Sequence, residues 1–169
     1  MLLSIDSTEN SYIKGYPQHS KLDYNPQKKL KVLLIDDDQD LGQLLTDYMS
    51  RKFNCRVKLA TDSFEAMNPL TEEFFDLIIL DWKLPALTGG QTLQLLEQGL
   101  YYEPELPIQW DTQKAPVIIF SSYDKNQCVL KSRTTKHFNV VGYVSKKQGL
   151  KPIMQSFGQY LDSLKLDVV

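Results

Sequence analysis

The chain has little cysteine, no excess of charge of one sign and no long hydrophobic run. Its two cysteines, Cys55 and Cys128, form neither a disulfide framework nor a metal-binding spacing, and are expected to be packing thiols in a reducing compartment. Nineteen basic and 21 acidic residues give a net charge of -2, which argues against nucleic acid and anionic membranes as partners. No apolar run approaches the roughly 18 residues of a membrane span, and the N-terminus lacks an export signal, so a cytoplasmic location is expected.

The order of apolar segments along the chain indicates an α/β domain. Residues 1–28 have neither helical nor strand periodicity and mix glycine and proline with polar residues, so they are predicted to form an irregular extension. From residue 29 onward, strand-like and helix-like segments alternate, which is typical of a sheet with crossover helices. The predicted domain spans residues 29–165, and residues 166–169 form a short tail.

Four short apolar runs are predicted to be strands buried on both faces of a parallel sheet. They cover residues 31–35, 77–80, 117–120 and 140–144, and each ends within two residues of a charged or hydroxyl side chain. The carboxyl ends of parallel strands lie along one edge of a sheet, where ligands bind, so these side chains should form one site. The groups gathered there would be Asp36, Asp37, Asp38, Asp81, Ser121 and Lys146.

Periodicity and helix signals predict the other early elements. Residues 55–59 alternate apolar and polar side chains, which suits a strand at the margin of the sheet. A short second helix should begin at Asp62 or Ser63 and be ended or kinked by Pro69, and a third should follow Gly89. The first helix has five apolar residues at helical spacing that should face the sheet: Leu41, Leu44, Leu45, Tyr48 and Met49.

Two later segments depart from this regular pattern. Residues 98–115 form a connection longer than the roughly 2 to 6 residues usual at such places, and their aromatic residues either pack on the domain as a lid or bind a partner. A weakly amphipathic fourth helix is expected from Asp124 to His137. A last helix, beginning at Pro152, should turn five residues inward: Ile153, Phe157, Tyr160, Leu161 and Leu164.

Five segments occur in a distinctive order and spacing: Val32-Leu33-Leu34-Ile35-Asp36-Asp37-Asp38, Leu80-Asp81-Trp82-Lys83-Leu84-Pro85, Gly89, Ser121-Ser122 and Gly142-Tyr143-Val144-Ser145-Lys146. Through them the chain from about residue 29 to 165 resembles the receiver domain of two-component response regulators. The resemblance implies a flavodoxin-like, doubly wound sheet of five parallel strands in the order 2-1-3-4-5, with helices on both faces. It places the acidic site at the switch point between the first and third strands.

The resemblance also implies a phosphoryl-transfer site. Asp81 would be the phosphoacceptor, attacking phosphorus to form an acyl phosphate. Asp36 and Asp37 would hold Mg²⁺, or Mn²⁺, together with Asp81 and the backbone carbonyl of Lys83, because hard cations prefer oxygen ligands. Three carboxylates so close together require compensating positive charge, which the metal and the ammonium of Lys146 would supply.

Two further residues match the family's signalling elements. Ser121 matches the hydroxyl that, with Lys146, contacts the phosphoryl oxygens, and Tyr143 matches the aromatic residue that changes rotamer when this hydroxyl moves. Ser121 and Tyr143 would thus form the switch. The signal would emerge at the fourth helix, fifth strand and fifth helix.

The implied function is that of a stand-alone response regulator receiver, since only four residues follow the domain. It would receive its phosphoryl group from a histidine kinase or phosphotransfer protein and signal by contact with a downstream protein, with the 98–115 segment as a further contact surface. Such a domain catalyses its own phosphorylation and dephosphorylation without turning over a separate substrate. Neither nucleic acid nor membrane is an expected partner.

Departures from the family pattern leave an alternative open. Lys147 stands where the family usually has proline, which makes a cis peptide at this position improbable and the placement of Lys146 less certain. Together with the long 98–115 connection, this modestly favours a phosphorylation-independent scaffold or binding module with the receiver fold, whereas the complete set of site residues opposes it: Asp36, Asp37, Asp81, Ser121 and Lys146. A haloacid dehalogenase-like phosphatase is the other alternative, but it would need an acidic metal ligand at the end of another apolar strand after Lys146, and the sequence supplies no such strand end.

Overall fold

The computed structural model describes residues 11–13, 29–128 and 134–166. The described strands are β1 (Ser11–Ile13), β2 (Leu30–Ile35), β3 (Cys55–Ala60), β4 (Leu77–Asp81), β5 (Ala115–Ser121) and β6 (Phe138–Ser145). The described helices are α1 (Gln39–Lys52), α2 (Met67–Glu72), α3 (Gly89–Tyr102), α4 (Gln109–Thr112) and α5 (Leu150–Leu166), with a 3-10 turn at Lys146–Gln148.

The sheet has six strands in the order β1-β6-β5-β4-β2-β3. Strands β2 to β6 are parallel and have the predicted 2-1-3-4-5 order, which confirms the doubly wound fold and the edge position of residues 55–59. The remaining strand, β1, pairs antiparallel with β6. It lies within residues 1–28, which the sequence predicted to be irregular. A three-residue strand is too short to give a periodic pattern, and its pairing depends on the open hydrogen-bonding groups of an edge strand.

Side chains of the central strands alternate between two apolar layers. Leu33 and Ile35 of β2 belong to the layer that α2 and α3 cover, whereas Val32 and Leu34 belong to the layer that α1 and α5 cover. Every residue of β4 is buried, as expected for a strand with helices on both faces. All five residues predicted to face inward from the last helix are buried in the second layer, and α5 begins two residues before Pro152.

Helix α1 presents a narrower buried face than the sequence predicted. Leu45 and Met49 are fully buried, but Leu44 is 48% exposed and Tyr48 is 40% exposed, so the prediction is wrong for these two residues. The reason is Gly42, where a Cβ atom would lie only 2.8 Å from Leu59 Cδ1. Because α1 lies close to Leu59 of β3 at this glycine, the face of the helix that carries Leu44 and Tyr48 is turned away from the sheet.

The second helix begins later than predicted. The Asp62 carboxylate accepts hydrogen bonds from the amides of Phe64 and Glu65, both at 2.8 Å, but it caps a turn, and α2 starts only at Met67. Pro69 therefore lies in the first turn of α2, where its missing N–H breaks no helical hydrogen bond. The helix has six residues and is short, as predicted, but Pro69 does not end it.

The 98–115 connection packs on the domain through several residues, with Leu100, Trp110 and Ala115 buried in the layer that α2 and α3 cover. Its first part extends α3 to Tyr102, and its second part forms α4, in which Trp110 is buried. The Trp110 indole donates a hydrogen bond to the Leu70 carbonyl at 3.1 Å, and its ring contacts Phe74 with centroids 4.9 Å apart. The lid interpretation thus holds for Trp110, whereas three apolar side chains of the segment are largely exposed: Tyr101, Tyr102 and Ile108.

The fourth helix was predicted from Asp124 to His137, of which residues 129–133 lie outside the described residues. Residues 125–128 form a turn, and His137 directly precedes β6, so the prediction that a helix extends to His137 is wrong. Glu97 of α3 explains the difference: its carboxylate accepts hydrogen bonds from the Thr135 hydroxyl and the His137 amide and lies 3.0 Å from His137 Nδ1. These contacts hold residues 135–137 in a non-helical bend before β6. Within the described ranges, none of the helices has the length and apolar character needed to cross a bilayer.

Candidate functional site

The predicted site residues meet at the carboxyl edge of the sheet. Asp36 follows the last residue of β2, Asp81 ends β4, Ser121 ends β5 and Lys146 follows the last residue of β6. The strands that carry them are neighbours in the order β2-β4-β5-β6, so the parallel topology brings together residues up to 110 positions apart. The structure therefore places these four side chains at one end of the molecule, as the sequence predicted.

Three carboxylates form the centre of the site. Asp36 is fully buried, Asp81 is 6% exposed and Asp37 is exposed, and one ligand oxygen from each lies within 4.8 Å of the others. Backbone amides orient the two buried groups: the Asp38 amide donates to Asp36 Oδ1 at 3.1 Å, and the Lys83 amide donates to Asp81 Oδ1 at 3.2 Å. In each case the second oxygen, Oδ2, contacts the ammonium of Lys146.

Lys146 bridges the two buried carboxylates. Its Nζ lies 2.8 Å from Asp36 Oδ2 and 2.8 Å from Asp81 Oδ2. Burial alone would lower the pKa of Lys146, but the hydrogen bonds and charges of the two aspartates outweigh burial and raise it above its ordinary value. Burial raises the pKa of Asp36 despite the nearby ammonium. Lys146 thus remains charged and offsets part of the negative charge of the cluster.

The donor set is suitable for a small hard cation. Asp36 Oδ2 is buried, and the ammonium of Lys146 lies 2.8 Å from it. A group of three neighbouring carboxylates fits Mg²⁺, which prefers oxygen ligands and keeps several waters. Asp36, Asp37 and Asp81 could therefore hold the ion. Asp37, which is exposed, leaves a side open to water and substrate.

Ser121 and Tyr143 are joined through the backbone of Tyr123. The Tyr123 amide donates to Ser121 Oγ at 3.1 Å, and the Tyr143 hydroxyl donates to the Tyr123 carbonyl. Tyr143 is only 1% exposed, so its ring lies inward, within the domain. Burial raises the pKa of the Tyr143 phenol, and a hydrogen bond with Ser145 opposes this effect.

Two contacts of the site were not predicted from the sequence. Cys128, which is fully buried, forms a side-chain hydrogen bond with Ser121, and burial raises the pKa of its thiol. Lys147 Nζ lies 3.0 Å from Asp124 Oδ1 at the rim of the site. Neither contact has a sequence signal, because Cys128 lies in a segment predicted to be helical and Asp124 was interpreted as a helix cap. Lys147, although it replaces the family's proline, leaves Lys146 in contact with both aspartates.

The arrangement combines a carboxylate nucleophile, a cation site and a fixed ammonium. Asp81 has one oxygen bound by the Lys83 amide and the other by Lys146, and a buried hydroxyl, Ser121, ends the adjacent strand β5. Positive charge held beside a carboxylate lowers the repulsion between that carboxylate and an incoming anion. The site is thus suited to the binding and transfer of a phosphoryl group.

Comparisons with known proteins agree with this chemistry. The sequence model of the response regulator receiver domain family matches residues 32–157. Transcription factor SKN7 of Saccharomyces cerevisiae is 23% identical over 150 residues, which cover 83% of this chain and 24% of that protein. The autoinducer 2 sensor kinase/phosphatase LuxQ of Vibrio harveyi is 31% identical over 105 residues, which cover 62% of this chain and 12% of that protein. The chain thus spans a quarter or less of these two relatives.

A solved structure shares the fold. The response regulator TrrA of Thermotoga maritima, in complex with Mg(2+)-BeF, covers 78% of this chain and 98% of its own chain, with a TM-score of 0.54 and 18% identity. Because the family model covers most of the sequence and the strand order is that of this fold, we conclude that the chain belongs to the response regulator receiver domain family.

Proposed function

We propose that this receiver domain accepts a phosphoryl group on Asp81 from a phosphohistidine of a kinase or phosphotransfer protein. The observation that carries the proposal is the position of Lys146 Nζ, 2.8 Å from oxygens of both Asp36 and Asp81 in the acidic cluster. The transfer forms a bond between phosphorus and an Asp81 oxygen and breaks the phosphorus–nitrogen bond of the phosphohistidine. The imidazole leaves with the electron pair of that bond and then takes up a proton.

Each neighbouring residue has a distinct task in this reaction. Asp36, Asp37 and Asp81 hold Mg²⁺ or Mn²⁺, with the backbone carbonyl of Lys83 as a further ligand. When bound, the ion supplies positive charge to the phosphoryl oxygens. Lys146 keeps Asp81 and the incoming anion from repelling each other and then binds a phosphoryl oxygen.

Ser121 reports the presence of the phosphoryl group. Its hydroxyl turns from Tyr123 and Cys128 to donate a hydrogen bond to a phosphoryl oxygen, which alters the contacts that the Tyr123 backbone makes with Tyr143. The change appears around β6, the segment before it and α5, where a downstream protein binds. The exposed side chains of Tyr101, Tyr102 and Ile108 extend this contact surface into the 98–115 segment.

Phosphorylation by a panel of histidine kinases tests the proposal directly. We expect the native chain and Asp124→Asn to incorporate a base-labile phosphoryl group and Asp81→Asn to incorporate none. Asp124 is the matched control because it is an exposed carboxylate near the site and outside the metal-binding group. Equal labelling of Asp81→Asn and the native chain would rule out Asp81 as the acceptor.

Hydrogen exchange with and without beryllofluoride and Mg²⁺ tests the output surface. Protection should change in residues 98–115 and 124–145 and remain unchanged in β3, which lies at the opposite edge of the sheet. Unchanged exchange in both of the first two segments would remove them from the signalling surface.

One observation favours a second function, that of a phosphorylation-independent binding module. Tyr143 is buried, and its hydroxyl donates a hydrogen bond to the Tyr123 carbonyl. If the inward ring alone generates the output surface, a partner would bind Asp81→Asn and the native chain equally well. Titration with Mg²⁺ and beryllofluoride, followed by the fluorescence of Trp82 beside Asp81, separates the two functions, because a silent site would give no response.

A further inference from the structure

The outer edge of β6 is occupied by a segment from the other end of the chain. Strand β1 pairs antiparallel with β6 in the register Ser11 with Val144, Tyr12 with Tyr143 and Ile13 with Gly142. This register covers three of the eight residues of β6, and the central one is Tyr143. The covered stretch ends two residues before Lys146, so β1 lies beside the strand that carries both the switch residue and the site lysine.

The added strand β1 blocks the path by which the Tyr143 ring could leave the interior of the domain. The ring packs in the apolar layer that contains Cys128, Phe138 and Trp110. On its inner side β6 is paired with β5, so a ring leaving this layer for solvent would have to pass the outer edge of β6. Strand β1 moves that edge outward by about 4.8 Å, the spacing between neighbouring strands, and places its backbone where solvent would otherwise be.

We propose that β1 is a built-in strap that holds Tyr143 in its inward position and thereby biases the switch toward the phosphorylated arrangement. An outward ring and a paired β1 compete for the same edge. The strap is short, and a few backbone hydrogen bonds of modest net strength make it displaceable. The phosphoryl part of this inference rests on the proposed function, whereas the strap and its effect on Tyr143 do not.

Thermodynamic linkage makes the coupling reciprocal. If β1 favours the inward ring, and a phosphoryl group at Asp81 also favours it, then each strengthens the other by the same factor. Removing the strap should therefore lower the affinity for a phosphoryl analogue, and binding the analogue should protect the β1–β6 pairing from exchange. The expected sign follows from the proposed competition at the β6 edge and agrees with the structure, in which β1 is paired and Tyr143 is buried.

The test compares two double variants of the full chain. Tyr12→Pro with Ile13→Pro removes two adjacent amides, and one of them faces β6 because successive residues of a strand point their N–H groups to opposite sides. The control, Tyr12→Thr with Ile13→Val, changes the same side chains but keeps both amides and high strand propensity. Circular dichroism and urea unfolding establish that both variants retain the domain.

Three measurements decide the outcome. In the proline variant the amides within residues 142–144 that face β1 should lose hydrogen-exchange protection, whereas those that face β5 keep theirs. Nitration of Tyr143 by tetranitromethane, located by mass spectrometry, should become about fivefold faster than in the control, the equivalent of one lost hydrogen bond. The dissociation constant for beryllofluoride with Mg²⁺ should rise by a similar factor, again about fivefold.

Each alternative result overturns a defined part of the proposal. Unchanged protection of residues 142–144 would show that β1 does not pair with β6. Lost protection with unchanged nitration would show that the strap does not hold Tyr143. Faster nitration with equal beryllofluoride affinity would remove the coupling to the site. If neither the variants nor the native chain binds beryllofluoride, the proposed phosphoryl function fails. The nitration rates still decide whether β1 holds Tyr143 in its inward position.

Discussion

Removing the ammonium of Lys146 is the most informative single perturbation of this protein. In Lys146→Met, Asp36 loses the cation that pairs with it while remaining fully buried, and Asp81 loses the partner of its Oδ2 atom. Removing one member of a buried ion pair costs about 3 to 5 kcal/mol, and the partial exposure of Asp81 and Lys146 reduces the expected cost here to about 2 to 3 kcal/mol. Lys147→Met is the matched control, because its exposed pair with Asp124 should contribute less than about 0.5 kcal/mol.

Urea unfolding at several pH values measures this cost. Without Lys146, the pKa of Asp36 rises further above its ordinary value, so the folded protein binds a proton that the unfolded chain releases. Stability then falls as pH rises, and Lys146→Met should be more destabilising at pH 8 than at pH 5. Mg²⁺ should restore part of the loss, because a ligand that binds only the folded protein stabilises it. A cost equal to that of Lys147→Met, or one independent of pH, would refute the buried ion cluster.

Three further changes test other contacts by urea unfolding. Glu73→Gln should cost about 1 kcal/mol of unfolding free energy at pH 7. Burial alone would raise the pKa of Glu73, but Lys58, Lys31 and Arg56 lower it below 4.5. The contribution of Glu73 to stability is therefore lost as the pH falls through that lowered pKa. Trp110→Phe should cost about 1 to 3 kcal/mol, because the buried Leu70 carbonyl loses its indole donor. Gly89→Ala should cost about 1 to 3 kcal/mol and weaken Mg²⁺ binding, because a Cβ would lie 3.1 Å from Trp82 Cα and 3.2 Å from the Asp81 carbonyl oxygen.

Matched controls separate these contacts from general effects of substitution. Tyr102→Phe changes an exposed aromatic residue near Trp110 and should stay within about 0.5 kcal/mol of the native chain. Gly99→Ala adds a methyl group that meets only the flexible end of the Met67 side chain, so it should leave Mg²⁺ binding unchanged. A pH-independent cost for Glu73→Gln, or costs for the other two substitutions equal to those of their controls, would contradict the respective argument.

The sequence alone was sufficient to predict the sheet and the location of the site. Short β-branched runs and the alternation of elements identify a parallel sheet, and the residue after each strand must lie at its carboxyl edge. Asp36, Asp81, Ser121 and Lys146 were therefore predictable as neighbours. The helical stripe of α1 was predictable only in part, because the exposure of Leu44 and Tyr48 depends on how closely Gly42 approaches Leu59.

Only the tertiary structure determined the contacts between residues distant in the sequence. The strand β1, the Glu97 contacts that end the predicted fourth helix before His137, and the bond from Trp110 to Leu70 each join residues 38 or more positions apart. None has a local pattern, since a three-residue strand, a single carboxylate and a lone indole have no periodicity. The burial of Tyr143 belongs with them, because its ring packs among side chains from other elements and its hydroxyl donates to the Tyr123 carbonyl. The positions of residues at strand ends thus determined which side chains meet at the carboxyl edge, and long-range packing determined the contacts around Tyr143.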